Sequence, residues 1–294
     1  MGYRKKRDEN PWDEDTESLE PRAVPRIFES IPEGVVADGF WAYYEVDVRN
    51  ASNNPEEKLV RFMSDVGAFL SATGKMLSVG CGYGLNEIIL SFIMQAREIV
   101  GIDILDDKRS DAKIRSMKKV ASLVNADRVT PLLADGGRLP FREGVFDCVL
   151  AIDSLSHADY MREGRDLKES QAVLLVEMSR VLRPGGQLAV VENSAASPRN
   201  VMRKSGTSCH PVNPYYLRAT LEALGYKGIR VVPYYDLTGR RDLPAQLARV
   251  LLRSSDTIGL FIAPFFMLSG RKKSPTRSPR PVVQAQNPEG ITWS

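Results

Sequence analysis

Three glycines and one aspartate carry the strongest chemical signal in the chain. Val79-Gly80-Cys81-Gly82-Tyr83-Gly84 lies between an apolar run, KMLSV, and a helical pattern that begins near Leu85. Glycine at these positions lets the backbone turn sharply and come close to a ligand where a Cβ would collide. Asp103 follows 19 residues after Gly84, at the carboxyl end of the next apolar run. A carboxylate placed there can accept hydrogen bonds from both hydroxyls of a ribose. Two nucleotide classes use such an arrangement. A dinucleotide site needs G-x-G-x-x-G, its third glycine set for helix–strand packing. Here the spacing is G-x-G-x-G and the later position holds Leu85, which, taken with the chain-wide pattern below, points to an adenosyl ligand without phosphates.

The elements that would position this turn are short and regularly spaced. Lys75–Gly80, Ile99–Asp103, Arg128–Leu133, Phe146–Ile152 and Gln187–Glu192 are β-branched or apolar runs. Each has the length of a strand buried on both faces. Helical spacing fills 84–96, 107–125 and 165–183. Strand–helix alternation of this kind predicts a doubly wound α/β fold around a mostly parallel sheet. A helix near 213–225, a strand near 227–234, a helix near 243–255 and a last apolar strand ending in SGRKK complete the pattern.

These motifs resemble the class I S-adenosylmethionine-dependent methyltransferases, and the resemblance runs over residues 59–272. KMLSVGCGYG is similar to the family's first motif and IVGID to its second, which puts Asp103 in the ribose-binding position. LLADGGRLPF resembles the third motif: Asp135 would face the adenine amino group, with the Gly136 backbone beside it. FDCVLAIDSLSHA resembles the fourth strand and its acceptor-facing loop. EMSRVLRPGGQLAVVE is similar to the following helix, Pro-Gly-Gly turn and fifth strand, and HPVNPYYLRATLEALGYK to the segment before the sixth. The resemblance implies a Rossmann-like, seven-stranded sheet of order 3-2-1-4-5-7-6 with strand 7 antiparallel. It implies S-adenosyl-L-methionine as cofactor, held by Gly80, Gly82, Gly84, Asp103, Asp135, Gly136 and Asp153.

One residue departs from the family pattern. An acidic side chain usually stands where this chain has Ser78. Serine can donate or accept a hydrogen bond but offers no charge to the ammonium of the cofactor. Glu87 or an aromatic lid could compensate.

Methyl transfer from a sulfonium is an in-line displacement, so a protein mainly aligns the nucleophile and excludes water. A base is needed where the nucleophile must lose a proton. His157, in the acceptor-facing SLSHA, is the candidate general base or else lines the pocket. His210 is a second base or a solvated side chain. Asp153 would line the pocket beside the methyl position, whereas Glu192 faces the acceptor or caps the loop. In the aromatic run Gly39-Phe40-Trp41-Ala42-Tyr43-Tyr44, Tyr43 or Tyr44 would close over the cofactor, or the run anchors the N-terminal arm.

Composition narrows the remaining classes. Cys81, Cys148 and Cys209 are odd in number and widely spaced, and only two histidines exist. Neither a disulfide framework nor a metal site is expected. Of the net charge of +3, residues 271–294 contribute +4 and leave −1 elsewhere, so no basic nucleic-acid footprint is present. The basic segment Lys108, Arg109, Lys113, Arg115, Lys118 and Lys119 is offset by Asp106, Asp107 and Asp111 and reads as a solvated face. No N-P-P-Y-like or catalytic-cysteine motif follows the fourth apolar run.

The longest apolar stretch, Ile258–Leu268, contains Pro264 and is too short to span a bilayer. The polar start shows no signal-peptide core, so a cytoplasmic location is the expectation. Residues 1–30 and 274–294 read as disordered arms around a domain spanning 31–273, with a lid or helix segment at 39–72. The expected activity is O-methylation of a small-molecule or saccharide acceptor. An RNA or protein methyltransferase, and a non-catalytic binding module, are the alternatives.

Overall fold

The computed structural model describes residues 55–70, 74–104, 110–158, 166–201, 210–234, 259–261 and 263–274. Helix α1 covers Pro55–Phe69, and β1 (Lys75–Val79) leads through the glycine turn into α2 (Leu85–Ile93). Strand β2 (Glu98–Asp103), α3 (Ser110–Leu123) and β3 (Val129–Leu133) follow. Next come β4 (Phe146–Ile152), a 3-10 turn at Leu155–His157, α4 (Leu167–Val181) and β5 (Leu182–Asn193). The short α5 (Pro198–Val201), α6 (Pro214–Ala223), β6 (Tyr226–Tyr234) and β7 (Phe265–Lys272) end the described chain.

The seven strands form one sheet in the order β3-β2-β1-β4-β5-β7-β6. Strands β1 to β5 pair parallel, and β7 runs antiparallel between β5 and β6. The alternation of side chains along a strand explains why so little polarity is tolerated in the centre. Met76 on β1 joins an apolar cluster with Met63 and Val66 of α1, Ile88 and Ile89 of α2 and Met117 of α3. Its neighbour Leu77 points the other way, into a cluster with Leu175 and Met178 of α4 and Leu217 and Leu221 of α6.

Three expectations need adjustment. First, β3 is not buried on both faces: Thr130 and Leu132 are exposed, because this strand is an edge of the sheet and only its inner face packs. Pro131 stands without harm in such a strand, since one side of it makes no ladder. Second, β5 starts well before Gln187. Phe146 pairs with Leu182 and Cys148 with Gln187, so Arg183-Pro184-Gly185-Gly186 loops out as a bulge instead of separating helix from strand. Gly185 takes φ 77 there. Third, β6 begins one residue earlier, at Tyr226, directly after Gly225 (φ 84).

Local sequence explains the helix ends near the site. Asn213 caps α6: its side-chain oxygen accepts from the backbone N–H groups of Tyr215 and Tyr216 at 2.9 and 3.2 Å, and Pro214 follows in the first turn. Lys272 of β7 donates to the carbonyls of Ser179 and Leu182 at 2.7 and 2.8 Å. A cation thereby satisfies the carboxyl end of α4.

The strand order reverses between β1 and β4. Chain leaving β1 winds toward β2 and β3, and chain leaving β4 winds toward β5. Crevices that hold ligands in open α/β sheets lie at the carboxyl ends of strands at such a reversal. The glycine turn follows β1 and Asp153 follows β4, so the reversal brings both to one place.

Candidate functional site

Each glycine of the turn has a positive φ: 77° at Gly80, 54° at Gly82 and 77° at Gly84. The three differ in what a side chain would meet. A Cβ on Gly80 would lie 2.5 Å from Ser154 Oγ and 2.8 Å from Ser154 Cβ, and one on Gly84 would overlap the Met117 side chain. Those two glycines serve packing. At Gly82 the nearest atom is Asp103 Oδ2, 4.0 Å away, so this glycine faces open space that a ligand can fill.

The turn is tied to β2. Gly80 and Cys81 both donate backbone N–H bonds to the Ile102 carbonyl, at 2.9 and 2.8 Å. Asp103 then accepts from the Gly82 N–H through Oδ2 (2.5 Å) and from the Ile104 N–H through Oδ1 (2.8 Å). Its carboxylate is half-buried, fixed at the mouth of the turn. The Ala134 N–H donates to the Asp103 carbonyl at 2.9 Å, which brings the Asp135 loop alongside. Asp135 is exposed and accepts from the Gly137 N–H at 2.7 Å. At Gly136 a Cβ would press on Leu174 and Val79, each at 2.9 Å; glycine here lets the loop lie close against β1 and α4.

Beneath the turn, Ser78 and Glu87 form a buried pair. The Ser78 hydroxyl donates to Glu87 Oε1 at 2.6 Å, while Glu87 Oε2 has no hydrogen-bond partner. Burial pushes the Glu87 carboxyl up to about 7, partly opposed by the Ser78 hydrogen bond, with Asp103 adding to the rise.

On the other side of the reversal stands the Asp153–His157 turn. Asp153 has φ 48, an unusual conformation for a residue with a side chain. Its Oδ1 accepts from Ser156 Oγ at 3.1 Å and from Asn193 Nδ2 at 2.9 Å. Glu192, fully buried at the end of β5, accepts from the Ser154 and Leu155 N–H groups through Oε1, at 2.8 and 2.6 Å. Its other oxygen has no partner. Burial first, and the Asp153 carboxylate second, push the Glu192 carboxyl up to about 8. Of its two anticipated roles, the geometry shows capping of this turn. Gln171 of α4 adds a bond to the Leu155 carbonyl at 3.1 Å.

His157 closes the 3-10 turn and is half-buried. The His210 N–H donates to the Ser156 carbonyl at 3.0 Å, so the two histidine-bearing segments meet on the same turn, with the His210 side chain exposed. Ser154 joins the halves of the site: its hydroxyl donates to the Val79 carbonyl at 2.7 Å. Ser154, Ser156, Gln171 and Asn193 escaped sequence reasoning. Their partners lie up to 75 residues away, and nothing in local spacing marks them.

Among the described residues no group of three or more His, Cys, Asp or Glu side chains could hold a metal ion, and no helix is long and apolar enough to cross a membrane. Cys81 and Cys148 are free and buried. Burial pushes both thiols up, Cys148 to about 12, so neither is a thiolate at neutral pH. The N-terminal arm at 1–30, the aromatic run with Tyr43 and Tyr44, Lys108, Arg109, Cys209, the expected helix at 243–255 and the tail from 275 onward lie outside the described residues.

The residues present fit an adenosyl cofactor: the turn is open where a Cβ on Gly82 would stand, and Glu87 keeps a buried oxygen in want of a donor. Comparisons with known proteins agree. Residues 77–190 match the family model described as "Methyltransferase domain". The chain is 27% identical over 214 residues to O-methyltransferase rstn1 of Aspergillus nomiae, covering 70% of this chain and 86% of that protein. It is 29% identical over 162 residues to O-methyltransferase resE of Aspergillus sclerotiorum, covering 54% of this chain. In that case the chain spans about half, 53%, of the relative's length. The fold matches the crystal structure of a SAM dependent methyltransferase from Archaeoglobus fulgidus, with TM-score 0.54, 15% identity and 80% and 100% of the two chains covered.

Residues 77–190 thus carry a methyltransferase domain, and domains of this kind use S-adenosyl-L-methionine as cofactor.

Proposed function

We propose that this chain transfers a methyl group from S-adenosyl-L-methionine to an oxygen of a small-molecule or saccharide acceptor, with His157 as general base. The observation that carries the reading is the joint at Ser154. One hydroxyl bonded to Val79 fixes the Asp153–His157 turn against the glycine turn, so donor and acceptor regions share one frame. Two relatives that are O-methyltransferases by name support oxygen as the acceptor atom.

When bound, the cofactor supplies an electrophilic methyl group on a sulfonium. The chain's own part is placement. Asp103 accepts from the ribose hydroxyls, Asp135 from the adenine amino group, and the backbone at Gly82 admits the ligand. Gly80 and Gly84 let the turn pack closely enough to do so. The strained Asp153, anchored by Asn193 and Ser156, lines the acceptor side. His157, whose turn is bonded at both ends, takes the proton from the acceptor hydroxyl. Transfer to a nucleic acid finds no support in the charge distribution, and a cytoplasmic site of action belongs to the same reading.

The test is a screen of sugars, phenols and hydroxylated metabolites with isotope-labelled S-adenosyl-L-methionine, repeated with His157→Asn. The expected result is an O-methylated product and a turnover about 10²–10⁴-fold lower in the variant at unchanged cofactor affinity. Near-normal turnover of the variant at saturating acceptor would sink the base assignment. Absence of methylated product throughout would favour the binding-module alternative.

A further inference from the structure

The Ser78–Glu87 pair is not accounted for by the fold. A carboxyl group buried in the first turn of α2 costs free energy unless its oxygens find donors. Ser78 satisfies one oxygen at 2.6 Å, and Oε2 is left without a partner. The neighbouring groups do not relieve it. From β2 the charged group is Asp103, of the same sign. The turn contributes the Cys81 thiol, itself buried and protonated. Helix α1 brings Met63 and Val66 to the surrounding cluster, and α3 brings Met117. Lys113 of α3 acts on Cys81 and does not figure among the influences on Glu87. A hydrogen-bond donor is what this oxygen lacks.

Under the proposed function adenine lies at β3 and ribose at β2, so the amino-acid end of the cofactor runs toward β1, where the pair lies. We propose that Glu87 is the carboxylate that recognises the α-ammonium group of the cofactor's methionine part, and that cofactor binding expels a proton from Glu87 to the solvent. The proposal rests on the functional reading and adds to it. Ser78 supplies no charge on β1, and the carboxylate stands in the first turn of α2, nine residues on, with the Ser78 hydroxyl bonded to it. The O–H bond of the free acid breaks, the electron pair stays on the carboxylate, and the proton passes to buffer. In the free protein the group is largely protonated below about pH 7. A cation brought beside it favours the ionised form.

Two adenosyl ligands separate this from a structural role. S-adenosylhomocysteine carries the ammonium without the sulfonium, and 5′-methylthioadenosine carries no amino-acid part. Isothermal titration calorimetry in two buffers of different ionisation heat, from pH 6 to 8, reads affinity and proton release together. The wild-type chain should release a fraction of a proton with S-adenosylhomocysteine, most below pH 7, and none with methylthioadenosine. In Glu87→Gln that release should vanish. Its affinity for S-adenosylhomocysteine should fall about tenfold or more, as for a lost charged hydrogen bond, and that for methylthioadenosine should stay within about twofold. The double exchange Ser78→Asp with Glu87→Gln returns the charge to β1 with the hydrogen bond reversed, and should recover most of the loss. Equal weakening of both ligands, or no proton release by the wild-type chain, overturns the assignment even if Glu87→Gln does not fold. Wild-type binding of neither ligand overturns the functional reading and this proposal with it.

Discussion

The two halves of the carboxyl edge are built in different ways. At the ends of β1 and β2 the work is done by backbone: three glycines at positive φ, two N–H groups on the Ile102 carbonyl, and one aspartate receiving the Gly82 N–H. At the ends of β4 and β5 it is done by side chains. Glu192 holds two N–H groups of the Asp153–His157 turn, and Gln171 and Asn193 brace it from α4 and β5. A cofactor common to many reactions calls for a fixed cradle of main chain. An acceptor particular to one reaction calls for a frame that side chains can retune without rebuilding the sheet.

The largest effect expected from this contrast separates two glycines of one turn. Gly80→Ala adds a Cβ against Ser154 at 2.5–2.8 Å and holds alanine at φ 77. Left-handed strain of about 1–2 kcal/mol and overpacking of about 1–3 kcal/mol give a loss near 4 kcal/mol. Gly82→Ala has the strain without the collision, since its nearest neighbour is 4.0 Å away. It should lose only about 1–2 kcal/mol of stability, yet bind S-adenosylhomocysteine poorly. Urea unfolding and calorimetry on both variants check this. Equal stability losses would mean the two glycines are not divided between packing and ligand space.

Legibility in the sequence follows the same division. The glycine spacing and Asp103 could be read because a turn and the end of the next strand lie close along the chain. The strand order came from resemblance, and the strand pairings repeat it. The Glu192 cap was only half legible. Position at the end of β5 was evident, but which way its carboxyl turns depends on β4 and β5 pairing Ile152 with Val191, a relation between residues 39 apart. Ser154 was invisible for the same reason: a serine after a strand has no local mark, and its importance lies in reaching Val79. The looped-out Arg183–Gly186 was misread because Pro-Gly-Gly ordinarily signals an end of structure, whereas here the ladder resumes beyond it.

The next effect tests the side-chain half directly. Glu192→Ala leaves the buried Ser154 and Leu155 N–H groups without their acceptor. Each unsatisfied donor costs about 1–3 kcal/mol, and removal of a poorly solvated acid offsets part of the loss, so a net destabilisation of about 3 kcal/mol is expected. His157 should lose its fixed place, and acceptor turnover should fall while cofactor affinity holds. Should the variant bind cofactor as poorly as Gly82→Ala, the halves are not independent and Ser154 transmits the disturbance to the glycine turn.

The smallest effect sharpens the comparison by charge alone. Glu192→Gln keeps an oxygen for both N–H groups but cannot ionise. In the wild-type protein the carboxyl is pushed up to about 8 from an ordinary value of 4.5. Between those limits the folded state holds a proton that the unfolded chain has released. Stability from this group is therefore complete below about pH 4.5 and is lost as pH rises toward about 8. The glutamine variant has no such slope, and the Glu87 carboxyl is common to both proteins and cancels in the difference. Relative to wild type, the variant should gain about 2 kcal/mol between pH 6 and pH 8, since a tenfold change in proton activity acting on one bound proton is worth about 1.4 kcal/mol. Paired denaturant titrations at the two pH values measure it. A difference that is constant with pH would mean that water reaches the Glu192 carboxyl, and that the β4–β5 half is more open than its buried bonds indicate. A slope of the expected sign would place the titrating carboxyl of this half under the acceptor turn, apart from the main-chain cradle on β1 and β2.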